Sequence, residues 1–123
     1  MVAPLASVIV PSLNGAHLLP ECLDSLGRQS YARLEVIVAD GASTDDTAGL
    51  LARAYPDVRL LRLRRNAGFA GNVNAGLRAA RGDVLCLLNN DARAEPDWVA
   101  TCVETLCAHP AIGSVASKVR QSR

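Results

Sequence analysis

One stretch decides the fold of this chain: Gly82-Asp83-Val84-Leu85-Cys86-Leu87-Leu88-Asn89-Asn90-Asp91. Its run of consecutive apolar residues, Val84 to Leu88, is too short for a typical helix and lies close behind a glycine, which predicts a strand. A strand that is apolar on both faces is typical of a parallel sheet inside a layered α/β domain, so we expect this strand to be buried on both faces.

The predicted strand ends abruptly in two amides and a carboxylate, Asn89, Asn90 and Asp91. In open α/β sheets, ligands bind beyond the carboxyl ends of the strands, so these three side chains lie where a ligand is expected. The alternative is that Asn-Asn-Asp is only a polar turn that leaves the strand, because such turns are common.

Outward from this stretch, strands alternate with segments of helical periodicity in a single domain of residues 1–123. Right-handed crossovers between such strands predict a mainly parallel sheet with helices on both faces, a Rossmann-like three-layer α/β/α fold. The loops after the first four strands then lie along one edge of the sheet. The other predicted strands are Ser7–Val10, Leu34–Ala39, an outer strand at Val58–Leu63 and a last strand at Gly113–Val119.

Composition limits the classes of function. The chain has 123 residues, 50% of them hydrophobic, and a formal net charge of +1, which indicates one globular domain with a real core. The near-neutral charge argues against nucleic-acid binding. No apolar run is long enough to cross a bilayer and no signal peptide is visible, so we expect a cytoplasmic location, with the inner face of the membrane as one site.

The four cysteines show no C-x-x-C spacing, and most lie in apolar runs or on apolar helix faces. We interpret them as free, buried thiols rather than as a metal site or disulfides, which fits a reducing cytoplasm. They are Cys22, Cys86, Cys102 and Cys107.

Two carboxylates, Asp40 and Asp91, follow predicted strands and are expected at the same edge of the sheet. A carboxylate can accept a hydrogen bond from a nucleobase or bind Mg²⁺, which takes its remaining ligands from water and substrate phosphates. Asp40 has an alternative role in the turn that follows it, where Ser43 or Thr44 is predicted to cap a helix. Gly71 and Gly76 weaken the next predicted helix, which indicates that some group approaches its backbone closely.

Four segments carry a resemblance to a known family. Val8–Asn14, Asp40–Asp45, Asn66–Gly76 and Gly82–Asp91 resemble, in order, the strand-loop motifs of the inverting, nucleotide-sugar-dependent glycosyltransferases of family two, which have the GT-A fold. The third segment is similar to their rhamnosyltransferase-like branch, and the fourth to the strand that bears their D-x-D motif. Together the four segments cover nearly the whole chain.

The resemblance implies a donor site for a nucleotide-diphosphate sugar of the UDP or dTDP type, with Mg²⁺ or Mn²⁺ as cofactor. It assigns the loop after the first strand to the nucleoside, Asp40 to the ring N–H of the base, and Asp91 to the metal. The implied nucleotide-sugar-binding residues are Pro11, Ser12, Leu13, Asn14, Asp40, Asn66, Gly68, Asn74, Asn89 and Asn90.

Two positions depart from the family pattern. Leu13 stands where an aromatic residue is usual, which removes a stacking surface, although an aliphatic side chain can still pack on a base. Asn89 replaces the first acid of D-x-D, which leaves Asp91 as the only charged ligand.

The family's general base is an acid in a second half of the domain, which also forms the acceptor site. No residue up to Arg123 matches this acid, so we identify no catalytic residue in the sequence and expect the general base beyond Arg123. The resemblance therefore implies the donor-binding part of an enzyme that transfers a sugar to a glycan or lipid-linked acceptor hydroxyl with inversion, in cell-envelope polysaccharide synthesis.

Two further expectations follow if the acceptor-binding half is not part of these residues. An uncovered sheet edge and apolar surface would favour self-association. The alternative function is a non-catalytic nucleotide-binding or interaction module, for which the missing base is the main support.

Overall fold

The structure, a computed structural model, describes residues 3–121, within which strands and helices alternate strictly. No helix in this part of the chain is long and apolar enough to cross a membrane. The elements are β1 (Ala6–Ser12), α1 (Leu19–Gly27), β2 (Leu34–Asp40), α2 (Thr47–Ala54), β3 (Arg59–Arg62), α3 (Gly68–Ala79), β4 (Val84–Leu87) and α4 (Trp98–Ala108).

The four strands form one parallel sheet in the order β3-β2-β1-β4. Every residue of β1 is buried because this strand lies inside the sheet with helices against both faces. The predicted α/β fold with a parallel sheet is therefore confirmed, and β3 lies at an edge of the sheet, as expected for an outer strand.

The side chains of the sheet divide between two cores according to the period of two along each strand. Val8, Val10 and Val38 face one core together with α1, α2 and α4, whereas Ile9 and Ile37 face a smaller core under α3. Helices on both faces confirm the predicted three layers.

Helix α3 lies unusually close to the sheet at Gly76. A Cβ atom added there would lie 2.5 Å from the Ile9 Cγ2 atom, so any larger residue would push the helix away from β1. The close approach expected at this glycine is therefore confirmed, and the approaching group is the sheet rather than a ligand.

Strand β4 is less buried than predicted. Leu85 and Leu87 are 49% and 51% exposed, so the expectation of burial on both faces is wrong. Both leucines pair with β1 residues on the α3 side of the sheet, but α3 packs over β1 and β2 and leaves the β4 edge uncovered. The self-association expected from uncovered apolar surface stays a prediction.

The last predicted strand is also absent. Residues 113–119 form neither a strand nor a helix, and this prediction is wrong. The segment is held instead by side-chain contacts to α4, where the Trp98 indole N–H donates a 2.7 Å hydrogen bond to Ser117 Oγ. An alternating apolar pattern indicates a strand only if a partner strand is available to pair with it.

Helix α2 begins later than predicted, at Thr47, and neither Ser43 nor Thr44 caps it. The Ser43 hydroxyl instead donates to Asp40. The first turn is stabilised by Asp45 Oδ1, which accepts hydrogen bonds from the Thr47 N–H at 3.2 Å and from the Thr47 hydroxyl at 2.5 Å.

All four cysteines are free thiols, and no disulfide joins them within residues 3–121. Cys22 and Cys86 are buried as expected, Cys102 is half-buried, and Cys107 is exposed, so the expected burial is wrong for Cys107. Burial raises the pKa of the Cys86 thiol to about 11, with a smaller contribution from Cys102, which keeps Cys86 protonated at neutral pH.

Glu35 joins β2 to the turn between α3 and β4. Its Oε2 atom accepts hydrogen bonds from Ser7 Oγ at 2.5 Å and from the Arg81 N–H at 2.7 Å, and Arg59 Nη1 lies 3.7 Å from Oε1. Burial alone would raise the pKa of Glu35, but these hydrogen bonds and the Arg59 and Arg81 charges outweigh it and lower the pKa below 4.5.

We expect Glu35→Gln to lower the free energy of unfolding at pH 7 by about 1.5–3 kcal/mol, the usual range for hydrogen bonds to a charged group. Because the folded pKa lies below the unfolded one, the carboxylate stabilises the fold above the unfolded pKa. This stabilisation is lost as the pH falls through the folded pKa. Urea unfolding of wild type and variant from pH 7 to pH 3 measures the difference.

Glu104→Gln serves as the matched control, since Glu104 is exposed and makes no hydrogen bond or ion pair within the described chain. If both variants lose the same stability, or if the Glu35→Gln difference does not shrink in acid, this role of Glu35 is wrong.

Candidate functional site

A cleft of about 340 Å³ opens at the carboxyl edge of the sheet. It includes the residues that follow β1 and β4, neighbouring strands between which the strand order reverses, and this is the position where open α/β sheets bind ligands. The cleft is lined by Pro11, Ser12, Leu13, Asn66, Phe69, Asn72, Asn89, Asn90 and Asp91.

Strand β1 is joined to the segment that follows β4 by two hydrogen bonds. Asn90 Nδ2 donates a 3.0 Å hydrogen bond to Ser12 Oγ, and the Leu88 N–H donates to the Ile9 carbonyl at 3.0 Å. The Cys22 thiol lies behind the loop and donates to the Asn89 carbonyl at 3.6 Å. Asn89 and Asn90 are therefore held at the cleft, in a turn that the Ala92 N–H closes by donating to the Asn89 carbonyl at 3.0 Å.

Asp91 is exposed and lies in the cleft lining beside the Asn89 and Asn90 side chains. Burial and then the Asp91 charge raise the pKa of the Cys22 thiol to about 12, so Cys22 stays protonated at neutral pH. In the described part of the chain, no three His, Cys, Asp or Glu side chains gather at one point. One carboxylate with neighbouring amide oxygens fits Mg²⁺ or Mn²⁺ only when a substrate supplies further oxygens.

Asn14 lies outside the cleft lining, although the sequence placed it at the nucleoside. Its Oδ1 atom accepts hydrogen bonds from the Thr44 N–H at 2.8 Å and the Asp45 N–H at 3.2 Å, and its own N–H donates to Ser43 Oγ at 2.8 Å. Asn14 adopts a positive φ of 52°, which asparagine tolerates better than most residues. It therefore joins the loops after β1 and β2.

Asp40 is also outside the lining, and it is only 1% exposed. Its Oδ1 atom accepts hydrogen bonds from the Ser43 hydroxyl and N–H, and Oδ2 lies 3.9 Å from Arg62 Nε. These contacts are those of the turn role that the sequence left open. Asp40 thus fixes the loop after β2, in which Gly41 lies against Asn66 and Asn72 of the cleft lining, and its assignment to the base stays a prediction.

The start of α3 forms the wall of the cleft on the β2 side. Asn66, Phe69 and Asn72 line it, whereas Gly68 and Asn74, which the sequence included, do not. Asn72 is buried among the residues that α3 turns toward the sheet, and sequence reasoning missed it. The sequence did contain a signal for Asn72: it is a polar residue on the apolar face of the predicted helix, next to Val73.

Phe69 was missed as well. It is 64% exposed on the first turn of α3 and lines the cleft together with Leu13. A large aromatic side chain exposed beside a polar cleft is a common feature of binding sites. The structure thus brings together seven of the residues implied by the sequence: Pro11, Ser12, Leu13, Asn66, Asn89, Asn90 and Asp91.

The general base is the remaining site residue that the sequence analysis expected, at a position beyond Arg123. Arg123 itself lies outside the described residues, 3–121, so this expectation falls outside them as well and stays a prediction. Within residues 3–121, Asp91 is the only carboxylate among the residues that line the cleft. The described part of the cleft therefore offers one carboxylate and no second acid for proton transfer.

Comparison with known proteins places this chain in a family. The model of the family described as glycosyl transferase family 2 matches residues 7–123. A PGL/p-HBAD biosynthesis glycosyltransferase of Mycobacterium tuberculosis is 34% identical over 113 residues, which cover 89% of this chain and 44% of the relative. The chain thus spans less than half the length of that relative.

Two solved structures share the fold. The mannosyltransferase PcManGT from Pyrobaculum calidifontis, in complex with GDP-Man and Mn²⁺, has a TM-score of 0.75 and 35% identity, covering 86% of this chain and 33% of its own. Residues 1–349 of Staphylococcus aureus TarS, in complex with UDP-GlcNAc, have a TM-score of 0.79 and 25% identity, covering 96% and 37%. The family match over residues 7–123 shows that this chain belongs to glycosyl transferase family 2.

Proposed function

We propose that this chain is the donor-binding part of an inverting glycosyltransferase that uses a UDP- or dTDP-linked sugar. The observation that carries the proposal is the cleft at the strand-order reversal, where amides surround one carboxylate, Asp91. Solved relatives bound to UDP-GlcNAc and to GDP-Man with Mn²⁺ support a nucleotide sugar as the ligand of this cleft.

In this proposal each side of the cleft contacts one part of the donor. Pro11, Ser12 and Leu13 contact the nucleoside, and Leu13 packs on the base where an aromatic ring is usual. Asn89 and Asn90 lie by the ribose and diphosphate, and Asp91 holds Mg²⁺ or Mn²⁺. The bound cation would neutralise charge on the diphosphate leaving group.

The Asn90 amide contacts Ser12 through its nitrogen. Because Asn90 Nδ2 donates to Ser12 Oγ, its Oδ1 atom is left as an acceptor, which suits a ribose hydroxyl. The amide can therefore bind the donor without breaking the contact that joins the β1 and β4 loops.

Transfer also needs a base that deprotonates the acceptor hydroxyl. Asp91, the one carboxylate that lines the cleft among residues 3–121, is already assigned to the cation. We therefore propose that the base and the acceptor site lie outside these residues, beyond Arg123. The acceptor is a glycan or lipid-linked hydroxyl in cell-envelope polysaccharide synthesis, on the cytoplasmic side.

Titration of the chain with UDP, with and without Mn²⁺, tests the proposal by calorimetry. We expect UDP to bind, and to bind more tightly with Mn²⁺, because Asp91 alone holds the cation weakly until a diphosphate completes its ligands. Uridine without phosphates is the matched control and should show no Mn²⁺ dependence. Absence of binding by both UDP and dTDP would contradict the proposal, and binding of GDP alone would contradict the proposed type of donor.

A further inference from the structure

The loop that carries Asp91 contains no regular secondary structure, since residues 88–97 form neither a strand nor a helix. Ordering a loop at the moment of binding lowers affinity, so a cation ligand on such a loop is most effective if the loop is already held in place. Helix α1 supplies polar side chains that bond to the backbone of this loop, although no α1 residue belongs to the cleft lining. The position of Asp91 therefore depends on a helix outside the cleft.

Two α1 side chains, one helical turn apart, hold the loop on either side of Asp91. Before Asp91, the Cys22 thiol donates to the Asn89 carbonyl at 3.6 Å. After Asp91, Ser25 Oγ accepts a hydrogen bond from the Ala94 N–H at 3.0 Å. Because side chains at this spacing share one face of a helix, α1 sets the distance between the two attachment points.

The Ser25 hydroxyl is oriented to accept from the loop. Ser25 is 1% exposed, and its hydroxyl donates to the Cys22 carbonyl at 2.6 Å, which leaves its oxygen as the acceptor for the Ala94 N–H. Without the hydroxyl, this N–H would lose its partner, and an unpaired backbone donor is costly away from water. We therefore expect the loop to leave α1 at this point when residue 25 has no hydroxyl.

Gln29, just after α1, continues the contact along the loop. Its Nε2 atom donates to the Glu95 carbonyl at 2.7 Å, and its Oε1 atom accepts from the Val99 N–H at 3.1 Å. Val99 lies in the first turn of α4, where N–H groups have no intrahelical partner and where the Asp97 side chain makes no cap. Gln29 thus joins the loop to the start of α4.

We propose that Ser25 and Gln29 are positioning residues for the cation, because they hold the loop after Asp91 in the place that presents the Asp91 carboxylate to the cleft. The inference rests on the proposed function, in which Asp91 holds the cation, and adds the residues that order this ligand. Residues that orient a metal ligand typically change metal affinity by about 10- to 100-fold when they are mutated. Ser25 acts on the loop backbone rather than on the carboxylate, so we expect an effect at the lower end of this range.

Titration of wild type and Ser25→Ala with UDP, with and without Mn²⁺, tests this inference by calorimetry. We expect Ser25→Ala to lower the Mn²⁺-dependent gain in UDP affinity by about tenfold. UDP affinity without Mn²⁺ should stay unchanged, because Cys22 and Ser12 still hold Asn89 and Asn90 on the other side of Asp91. A general loss of stability would not produce this separation between the two affinities.

Ser7→Ala is the matched control. Ser7 is also fully buried, and its hydroxyl donates to Glu35 Oε2 at 2.5 Å and accepts from the Gly82 N–H at 2.8 Å, so it bridges a carboxylate and a loop N–H. It lies near the start of β1, at the opposite edge of the sheet from the cleft. Ser7→Ala should lower the free energy of unfolding but leave the Mn²⁺-dependent gain in UDP affinity unchanged.

A folded Ser25→Ala protein with the wild-type Mn²⁺-dependent gain would overturn the inference, as would a Ser7→Ala protein that loses this gain to the same extent. If Ser25→Ala does not fold, Gln29→Ala, at a half-buried position, takes its place under the same criterion. Absence of UDP binding by wild type, or UDP binding that does not respond to Mn²⁺, would instead overturn the proposed function, and this inference with it.

Discussion

Replacing Asp91 by asparagine is expected to abolish the part of UDP affinity that depends on Mn²⁺. Asp91 is the only carboxylate in the cleft lining within residues 3–121, so no second acid can take over the cation. Mutation of a residue that only hydrogen-bonds a metal ligand typically lowers metal affinity by about 10- to 100-fold. We therefore expect loss of the ligand Asp91 itself to lower the Mn²⁺ affinity of the UDP complex by about 100-fold. Calorimetric titration of UDP with and without Mn²⁺ measures the effect.

Two further variants show whether the effect belongs to this position. Asp97→Asn removes the same charge from an exposed residue outside the cleft lining and should leave the Mn²⁺ dependence unchanged. Asn89→Asp restores a second acid beside Asp91 and should strengthen the dependence. If Asp91→Asn retains the full Mn²⁺-dependent affinity, the cation is held elsewhere and this assignment is wrong.

The second expected result concerns transfer. The 123-residue chain should bind a nucleotide-diphosphate sugar but transfer the sugar to an acceptor no faster than the donor hydrolyses. General base catalysis alone typically contributes about 10²- to 10⁴-fold, and orientation of the acceptor contributes more. The cleft contains no second carboxylate within the described residues, so both contributions are expected to be missing. Product formation from a radiolabelled donor, with and without acceptors, measures this.

The informative comparison is between the 123-residue chain and a form of the protein that includes the acceptor site. A longer form of the protein, extended beyond Arg123, that transfers sugar with the same UDP affinity as the 123-residue chain would agree with the proposed division of roles. Acceptor-dependent transfer by the 123-residue chain itself would contradict it. The decisive variant would then replace Asp45, an exposed acid in the loop after β2 that is not part of the cleft lining.

Much of the fold was predictable because hydrophobic periodicity reports burial directly. Local patterns predicted the alternation of strands and helices, and this alternation predicted the parallel sheet. The position of the loops along one edge of the sheet follows from right-handed crossovers between the strands. The burial of β4 was predicted wrongly because Leu85 and Leu87 are apolar whether or not a helix covers them. Residues 113–119 show the same limit, since their pattern does not say whether a partner strand is present.

For the candidate site, the sequence by itself determined which polar residues follow the strands. The end of β4 had to carry Asn89, Asn90 and Asp91 to the carboxyl edge, because parallel strands place their ends together. The four family motifs added Pro11 to Leu13 and Asn66, which the cleft also contains.

Only the tertiary structure decided which atoms of these residues are available to a ligand. Asp40 lies at a strand end as Asp91 does, but it is 1% exposed with Ser43 hydrogen-bonded to Oδ1 and Arg62 3.9 Å from Oδ2, whereas Asp91 is exposed. The sequence assigned Asn72 no role beyond the helix, whereas the structure shows that Asn72 Nδ2 donates a hydrogen bond to Asn66 Oδ1. The physical reason is that a side chain's free donors and acceptors depend on partners that are distant in sequence, and no local pattern specifies those partners.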